Sequence, residues 1–193
     1  LSDGDKDTLT LHELKKIIQD KYLHRGEFVL SSGKHDSKYF DIKKMIGDVF
    51  DYHKIKGELW LYLNSHADTI QFESIGGIEL GGALIVAALT DYRYRCFIRK
   101  EKRVHGMMKA IEGYPQSPIL LVDDVISTSN TVANAVQTCI DNKFDVCGVL
   151  CVIDRRQVDK VDEGKLLLMG MDGVPNGIYP MPIYSLFREE DFD

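Results

Sequence analysis

Apolar positions recur along this chain in two rhythms, and the change from one to the other divides it. Leu11, Leu14, Ile17, Ile18 and Tyr22 follow helical spacing behind the capping-box pattern Thr10-Leu-His-Glu13, which predicts a first helix to about Leu23, broken by Gly26. Glu27–Leu30 and Tyr39–Ile42 read as short strands around the turn Ser31-Ser-Gly-Lys34, a hairpin outside the main sheet. From Met45 to about His66, Ile46, Val49, Ile55, Leu59, Leu61 and Leu63 predict another helix, with Gly47 and Gly57 blurring its limits. Short apolar runs then alternate with amphipathic ones. Strands are expected at Gln71–Ile75, Arg95–Ile98, Leu120–Val122 and Val146–Ile153, with helices at Ala83–Leu89 and Val132–Ile140. The economical architecture is α/β, a central, mainly parallel sheet flanked by helices, with residues 8–43 contributing a small N-terminal hood to one domain spanning 1–193. Residues 1–7 are polar and expected to fray, and the segment beyond Lys165–Met169, with Pro175, Pro180, Pro182 and Ile183–Phe187, is expected to pack back on the domain.

One stretch turns this pattern into a candidate site. Ile119–Thr131 reads Ile-Leu-Leu-Val-Asp-Asp-Val-Ile-Ser-Thr-Ser-Asn-Thr, a buried strand, two carboxylates, a hydroxyl-rich loop and then a helix. Open α/β sheets bind ligands at the carboxyl ends of their strands, and free N–H groups at a helix start attract phosphate. Ser127, Thr128, Ser129 and Thr131 add hydroxyl donors, and Asp123 and Asp124 are acceptors suited to ribose hydroxyls or to the water shell of Mg²⁺. The same order also fits a strand, an Asp-rich turn and an ordinary Ser/Thr cap.

Three further segments share the expected rim. Gly76-Gly-Ile-Glu-Leu-Gly-Gly82 lacks the G-x-G-x-x-G order of a dinucleotide loop; its glycines would either admit backbone N–H groups to a pyrophosphate or simply make turns. Arg99-Lys-Glu-Lys-Arg-Val-His-Gly106 and its continuation to Gln116 are cationic and weakly periodic, which fits a solvated charged face or, given its place at a strand end beside the acid-hydroxyl loop, a mobile lid over a polyphosphate. Asp154-Arg155-Arg156 closes a strand, where Arg155 could offer a planar fork to a carboxylate or serve as a surface ion-pairing group.

A net charge of -6 and a pI near 5.5 argue against wholesale nucleic-acid binding and favour a small anionic partner. No apolar run is long enough for a membrane span, and the amino end lacks a signal-peptide layout, so a cytoplasmic protein is expected. Cys96, Cys139, Cys147 and Cys151 have no zinc spacing and read as buried free thiols, and the six histidines form no metal-binding pair.

Taken together, the Ile119–Thr131 stretch resembles the phosphoribosyl-pyrophosphate (PRPP) motif of type I phosphoribosyltransferases. Phe28-Val-Leu-Ser-Ser-Gly-Lys34 with Tyr39-Phe40 is similar to the hood of the orotate phosphoribosyltransferase family, Arg99–Gly106 to its R-K-x-x-K-x-H-G loop, and Ile153-Asp-Arg155 to its strand-end arginine. The resemblance runs from about Leu11 to Phe187 and implies Mg²⁺-dependent conversion of orotate and PRPP to orotidine 5′-monophosphate and pyrophosphate, a step of pyrimidine synthesis. It implies that Asp123 and Asp124 hold the ribose hydroxyls and, with Arg103, form the catalytic set. Arg99, Lys100, Arg103 and His105 would close on pyrophosphate, and Val125, Ile126, Ser127, Thr128, Ser129, Asn130 and Thr131 would line the phosphate loop. Tyr39, Phe40, Thr128 and Arg155 would contact orotate, Mg²⁺ would be carried mainly by PRPP and water, and a homodimer would form in which the Arg99–Gly113 loop reaches the neighbouring site. Three positions depart from the family pattern: Arg103 stands for the loop lysine, Ser129-Asn130 for the phosphate-loop glycine pair, and Ser31 for a hood lysine that Lys34 could replace. A fused decarboxylase domain is not expected after Phe187. Competing readings are a phosphoribosyltransferase for another base and a non-catalytic PRPP or nucleotide sensor of the same fold.

Overall fold

A computed structural model describes residues 11–29, 35–100, 109–127, 129–156, 165–169 and 175–193, with the backbone alone at 129, 165–169 and 175–180. Helix α1 covers residues 11–17 and continues as a π-helical turn over Ile18–Tyr22. It ends one residue before strand β1, Leu23–Val29, which pairs antiparallel with β2, His35–Phe40, to make the hood hairpin. Gly26 therefore does not break the helix as expected. It lies inside β1, where the pairing register slips between Arg25 and Phe28.

The helix expected from Met45 to His66 is two helices, α2 at Ile42–Gly47 and α3 at Val49–Ser65. The break falls at Asp48, whose carboxylate accepts from the N–H groups of Phe50 at 3.0 Å and Asp51 at 3.1 Å, so α3 begins with its own cap. Gly57 runs through the middle of α3 without interrupting it.

The main sheet has six strands in the order β10-β7-β6-β3-β4-β5: β3 Ser74–Ile78, β4 Tyr94–Ile98, β5 Ile111–Gly113, β6 Ile119–Ile126, β7 Val146–Asp154 and β10 Ile183–Arg188. All pair in parallel except β5, which returns antiparallel to β4. Helix α4, Gly81–Ala88, follows β3, and α5, Ser129–Asp141, follows β6. A separate hairpin, β8 Lys165–Met169 with β9 Pro175–Pro180, lies between β7 and β10 in the chain.

Successive residues of the central strands feed opposite cores, as the two-residue period requires. Leu120, Val122, Leu150 and Val152 pack with Leu14, Ile18, Ile55, Leu59 and Ile85 from α1, α3 and α4, whereas Ile119, Leu121, Val149 and Cys151 pack with Val132, Val136 and Cys139 of α5. Such double-sided burial explains why these strands read as continuous apolar runs. The carboxyl end packs back as expected: β10 is an edge strand of the main sheet and Phe192 is fully buried.

Three boundaries differ from the sequence reading. The strand expected at Gln71–Ile75 begins at Ser74, so Gly76 and Gly77 belong to β3 rather than to a ligand loop. A Cβ at Gly77 would come within 2.6 Å of Ala83 N, and one at Gly76 within 2.9 Å of Ile119 Cγ2, so both glycines serve close packing of α4 and neighbouring strands. Part of the segment read as a loop up to Gln116 is β5. Strand β6 continues past Val122 and carries Asp123 and Asp124 within it.

Candidate functional site

The carboxyl ends of β6 and β7 bring Asp123, Asp124 and Arg155 onto one rim. Asp123 and Asp124 are both buried, and Asp124 follows Leu120 and Val122 on the face covered by α1–α4. The backbone N–H of Arg155 donates to Ile126 O at 2.8 Å, so the strand-end arginine leaves the sheet beside the exit of β6. Beyond it Ser127 is exposed, as are Asn130 and Thr131 on the first turn of α5, while Ile126 is buried and Val125 half-buried. Thr128 and the side chain of Ser129 lie outside the described residues, as do Arg103 and His105.

The acid pair is closely held. Asp123 Oδ1 accepts the Asp124 N–H at 2.9 Å, and Lys43 Nζ of α2 lies 2.6 Å from Asp124 Oδ2. Burial and the neighbouring Asp124 charge push Asp123 up to about 8. Burial alone would lower Lys43, but the charge and hydrogen bond of Asp124 outweigh it and hold the ammonium above its ordinary value. Glycines make the floor: a Cβ at Gly81 would fall 2.6 Å from Asp124 Oδ2, and one at Gly82 2.7 Å from the Val122 carbonyl carbon. The start of α4 thus touches the acid directly.

Arg155 is buried and already engaged. Its Nη2 donates to Asp36 Oδ2 of the hood at 2.7 Å and to Glu189 Oε1 at 2.7 Å, and its Nε reaches the same Glu189 oxygen at 3.3 Å. Its guanidinium carbon stands 5.3 Å from the centroid of Phe40. Phe40 is core rather than lining, edge-on to Phe192 with centroids 5.1 Å apart. Tyr39, its neighbour on the opposite face of β2, is exposed and packs against Phe28. A cavity of about 180 Å³ opens between the hood and the carboxyl-terminal turn, lined by Lys38, Arg155, Arg156 and Arg188 among four acids.

Arg99 and Lys100 stand where β4 ends. Arg99 Nε pairs with Glu112 Oε1 of β5 at 3.3 Å, and the Lys100 N–H donates to Glu79 Oε2 at 3.1 Å. Both residues line a small cavity of about 50 Å³ with Thr131, Asn134 and Thr138 of α5, so the end of β4 faces the first turns of α5. Among the described residues no group of three or more His, Cys, Asp or Glu side chains could hold a metal ion. With Asp124 on Lys43 and Asp123 on an amide, the donor set fits acceptance of hydroxyls or of metal-bound water rather than a protein cage.

Cys96, Cys139 and Cys151 are buried free thiols, as expected, with Cys147 half-buried. No described helix is long and apolar enough to cross a membrane. Sequence reading missed Lys43, Asp36 and Glu189. Only the closeness of Asp36 and Lys43 to Tyr39-Phe40 in the chain hinted at the first two.

No family model matches the chain. It is 32% identical over 149 residues to the orotate phosphoribosyltransferase of Pyrococcus furiosus, covering 75% of this chain and 80% of that protein. With the orotate phosphoribosyltransferase of Bradyrhizobium diazoefficiens it shares 28% identity over 192 residues, 93% of this chain and 94% of the other. The fold is similar to that of Mycobacterium tuberculosis orotate phosphoribosyltransferase in complex with PRPP, with a TM-score of 0.65 at 21% identity, covering 95% of this chain and 98% of that one.

Proposed function

This chain belongs to the orotate phosphoribosyltransferase family, and on that premise we propose how its rim transfers the 5-phosphoribosyl group of PRPP to orotate, giving orotidine 5′-monophosphate and pyrophosphate. Asp123 and Asp124 take the ribose hydroxyls, and Ser127, Thr128, Ser129, Asn130 and Thr131 receive the 5′-phosphate at the start of α5, where backbone N–H groups are unpaired by the helix itself. Arg155, with Thr128, takes the orotate carboxylate, and Tyr39 covers the base. Phe40 supports Arg155 from the core instead of touching the base.

In the reaction the bond from ribose C1 to pyrophosphate breaks with its electron pair leaving on pyrophosphate, and a bond from C1 to the orotate ring nitrogen forms. Positive charge builds on the sugar and negative charge on the leaving group, so the chain needs cations aimed at pyrophosphate and no protein nucleophile. Arg99 and Lys100, with Arg103 and His105, serve that purpose. Mg²⁺ arriving on PRPP would neutralise part of the pyrophosphate charge. The active assembly is a homodimer in which the Arg99–Gly113 segment of one protomer serves its partner's site.

The observation that carries this reading is the shared exit of β6 and β7, which sets a buried acid pair and a buried arginine side by side on one rim. Incubation with PRPP, Mg²⁺ and orotate should consume orotate absorbance. Consumption of uracil or a purine with orotate untouched would point to another base, and PRPP binding without turnover would point to a sensor. The Ser129-Asn130 pair is the observation favouring that last reading.

A further inference from the structure

Three groups hold Asp124, and two of them come from outside the sheet. Gly81 presses against it from α4, leaving no room there for even a methyl group, and Asp123 is turned onto the Asp124 amide within β6. The third is the ammonium of Lys43, 2.6 Å from Oδ2. The Asp124 side chain is 5% exposed and that of Lys43 47%, so the lysine covers the side of the acid that leads to solvent. Lys43 stands two residues past Asp41, which caps α2 where it leaves the hood strand β2. It therefore joins the hood to the acid pair, across 81 residues of chain.

We propose that Lys43 is a positioning residue for the phosphoribosyl donor, keeping Asp124 an acceptor aimed at the ribose hydroxyls. The inference rests on the PRPP reading of the rim. A carboxylate this deeply buried is costly to keep without a cation paired to it, and Lys43 Nζ is the cation that reaches Oδ2. The ion pair also fixes the rotamer, since Oδ2 is drawn outward to Nζ while Gly81 limits movement the other way. Lys43 thus acts through Asp124 and need not touch the substrate.

The test is calorimetric titration of the full chain with PRPP and Mg²⁺, with thermal unfolding run on every variant. Lys43→Met and Lys43→Gln should weaken PRPP at least about tenfold, as expected for a lost hydrogen bond to a charged group, whereas Lys43→Arg should stay within about threefold. In turnover the loss should appear in KM for PRPP while KM for orotate holds. Because the lysine works through the acid, Lys43→Gln in an Asp124→Asn background should weaken PRPP by less than about twofold further. The neutral Asn background also keeps the measurement available if Lys43→Met leaves Asp124 too exposed energetically to fold. Unchanged PRPP affinity in either folded neutral variant, an equal loss with arginine, or a full further loss in the Asp124→Asn background would each overturn the proposal. Wild-type protein that binds PRPP but spares orotate would overturn the activity and leave this comparison intact.

Discussion

Arg155 meets two carboxylates before any ligand does. Glu189 takes the Nε and Nη2 side of its fork, and Asp36 of the hood takes Nη2 as well, so a substrate carboxylate competes with a residue of the chain itself. Removing that competitor while leaving Glu189 in place should tighten orotate binding. Asp36→Asn is expected to lower KM for orotate about two- to fivefold with KM for PRPP unchanged, in line with a weakened, partly exposed ion pair; a raised orotate KM would mean that Asp36 orients the arginine instead. The acid pair makes a second prediction. Between its ordinary value of 3.8 and about 8, Asp123 keeps a proton in the folded chain that the unfolded chain has released. Folding therefore binds protons in that window, and stability declines as pH rises through it. Asp123→Asn cannot ionise, so unfolding curves should show its Tm gaining on wild type from pH 5 to pH 8.5, and parallel profiles would argue against a buried protonated acid. Asp123, Asp124 and Arg155 were legible in the sequence because strand-end position and residue type travel together. Lys43, Asp36 and Glu189 were not, since pairings across 81, 119 and 34 residues leave no spacing to read.

At the scale of elements, glycines sort by what surrounds them. Gly82 sits at the start of α4 with its α-carbon against the Val122 carbonyl, whereas Gly57 in the middle of α3 has open space where a Cβ would go. Gly57→Ala should therefore stabilise the chain by about 0.5–1 kcal/mol, through helix propensity alone. Gly82→Ala must push backbone from backbone and should cost about 1–3 kcal/mol together with PRPP affinity, because the displaced strand carries Asp123. Paired thermal melts settle both signs. The alternation of strands and helices from β3 onward was readable because parallel strands buried on both faces form apolar runs. The register of β3 was not, because Gly76 and Gly77 carry no hydrophobic signal although the strand runs through them. The split between α2 and α3 was missed for a related reason: Asp48 caps from inside an otherwise helical pattern, and Gly47 drew attention to itself instead.

Across the whole molecule, the hood is fastened to the sheet by the last turn of the described chain. Phe192 packs between Phe40 of β2 and Phe187 of β10, its carbonyl accepts from Arg25 Nη2 at 2.8 Å, and Lys38 pairs with Asp193. Phe192→Ala should cost about 3–5 kcal/mol, in the range of other buried phenylalanine truncations. Amide exchange should quicken first in β1 and β2 rather than in β6 and β7; uniform quickening would show that the hood and sheet open together.

The pairing of β5 with β4 sets a radius. The Arg99 N–H donates to Ala110 O at 3.0 Å, so the two ends of the intervening cationic stretch are anchored side by side at the edge of the sheet. The chain between Arg99 and Ala110 makes eleven Cα steps, so doubled back it extends no farther than about 20 Å from those anchors. In the proposed dimer the partner's pyrophosphate must therefore come within that backbone reach, plus the length of one cationic side chain, of the β4 edge, which restricts how two copies can face one another more tightly than charge does.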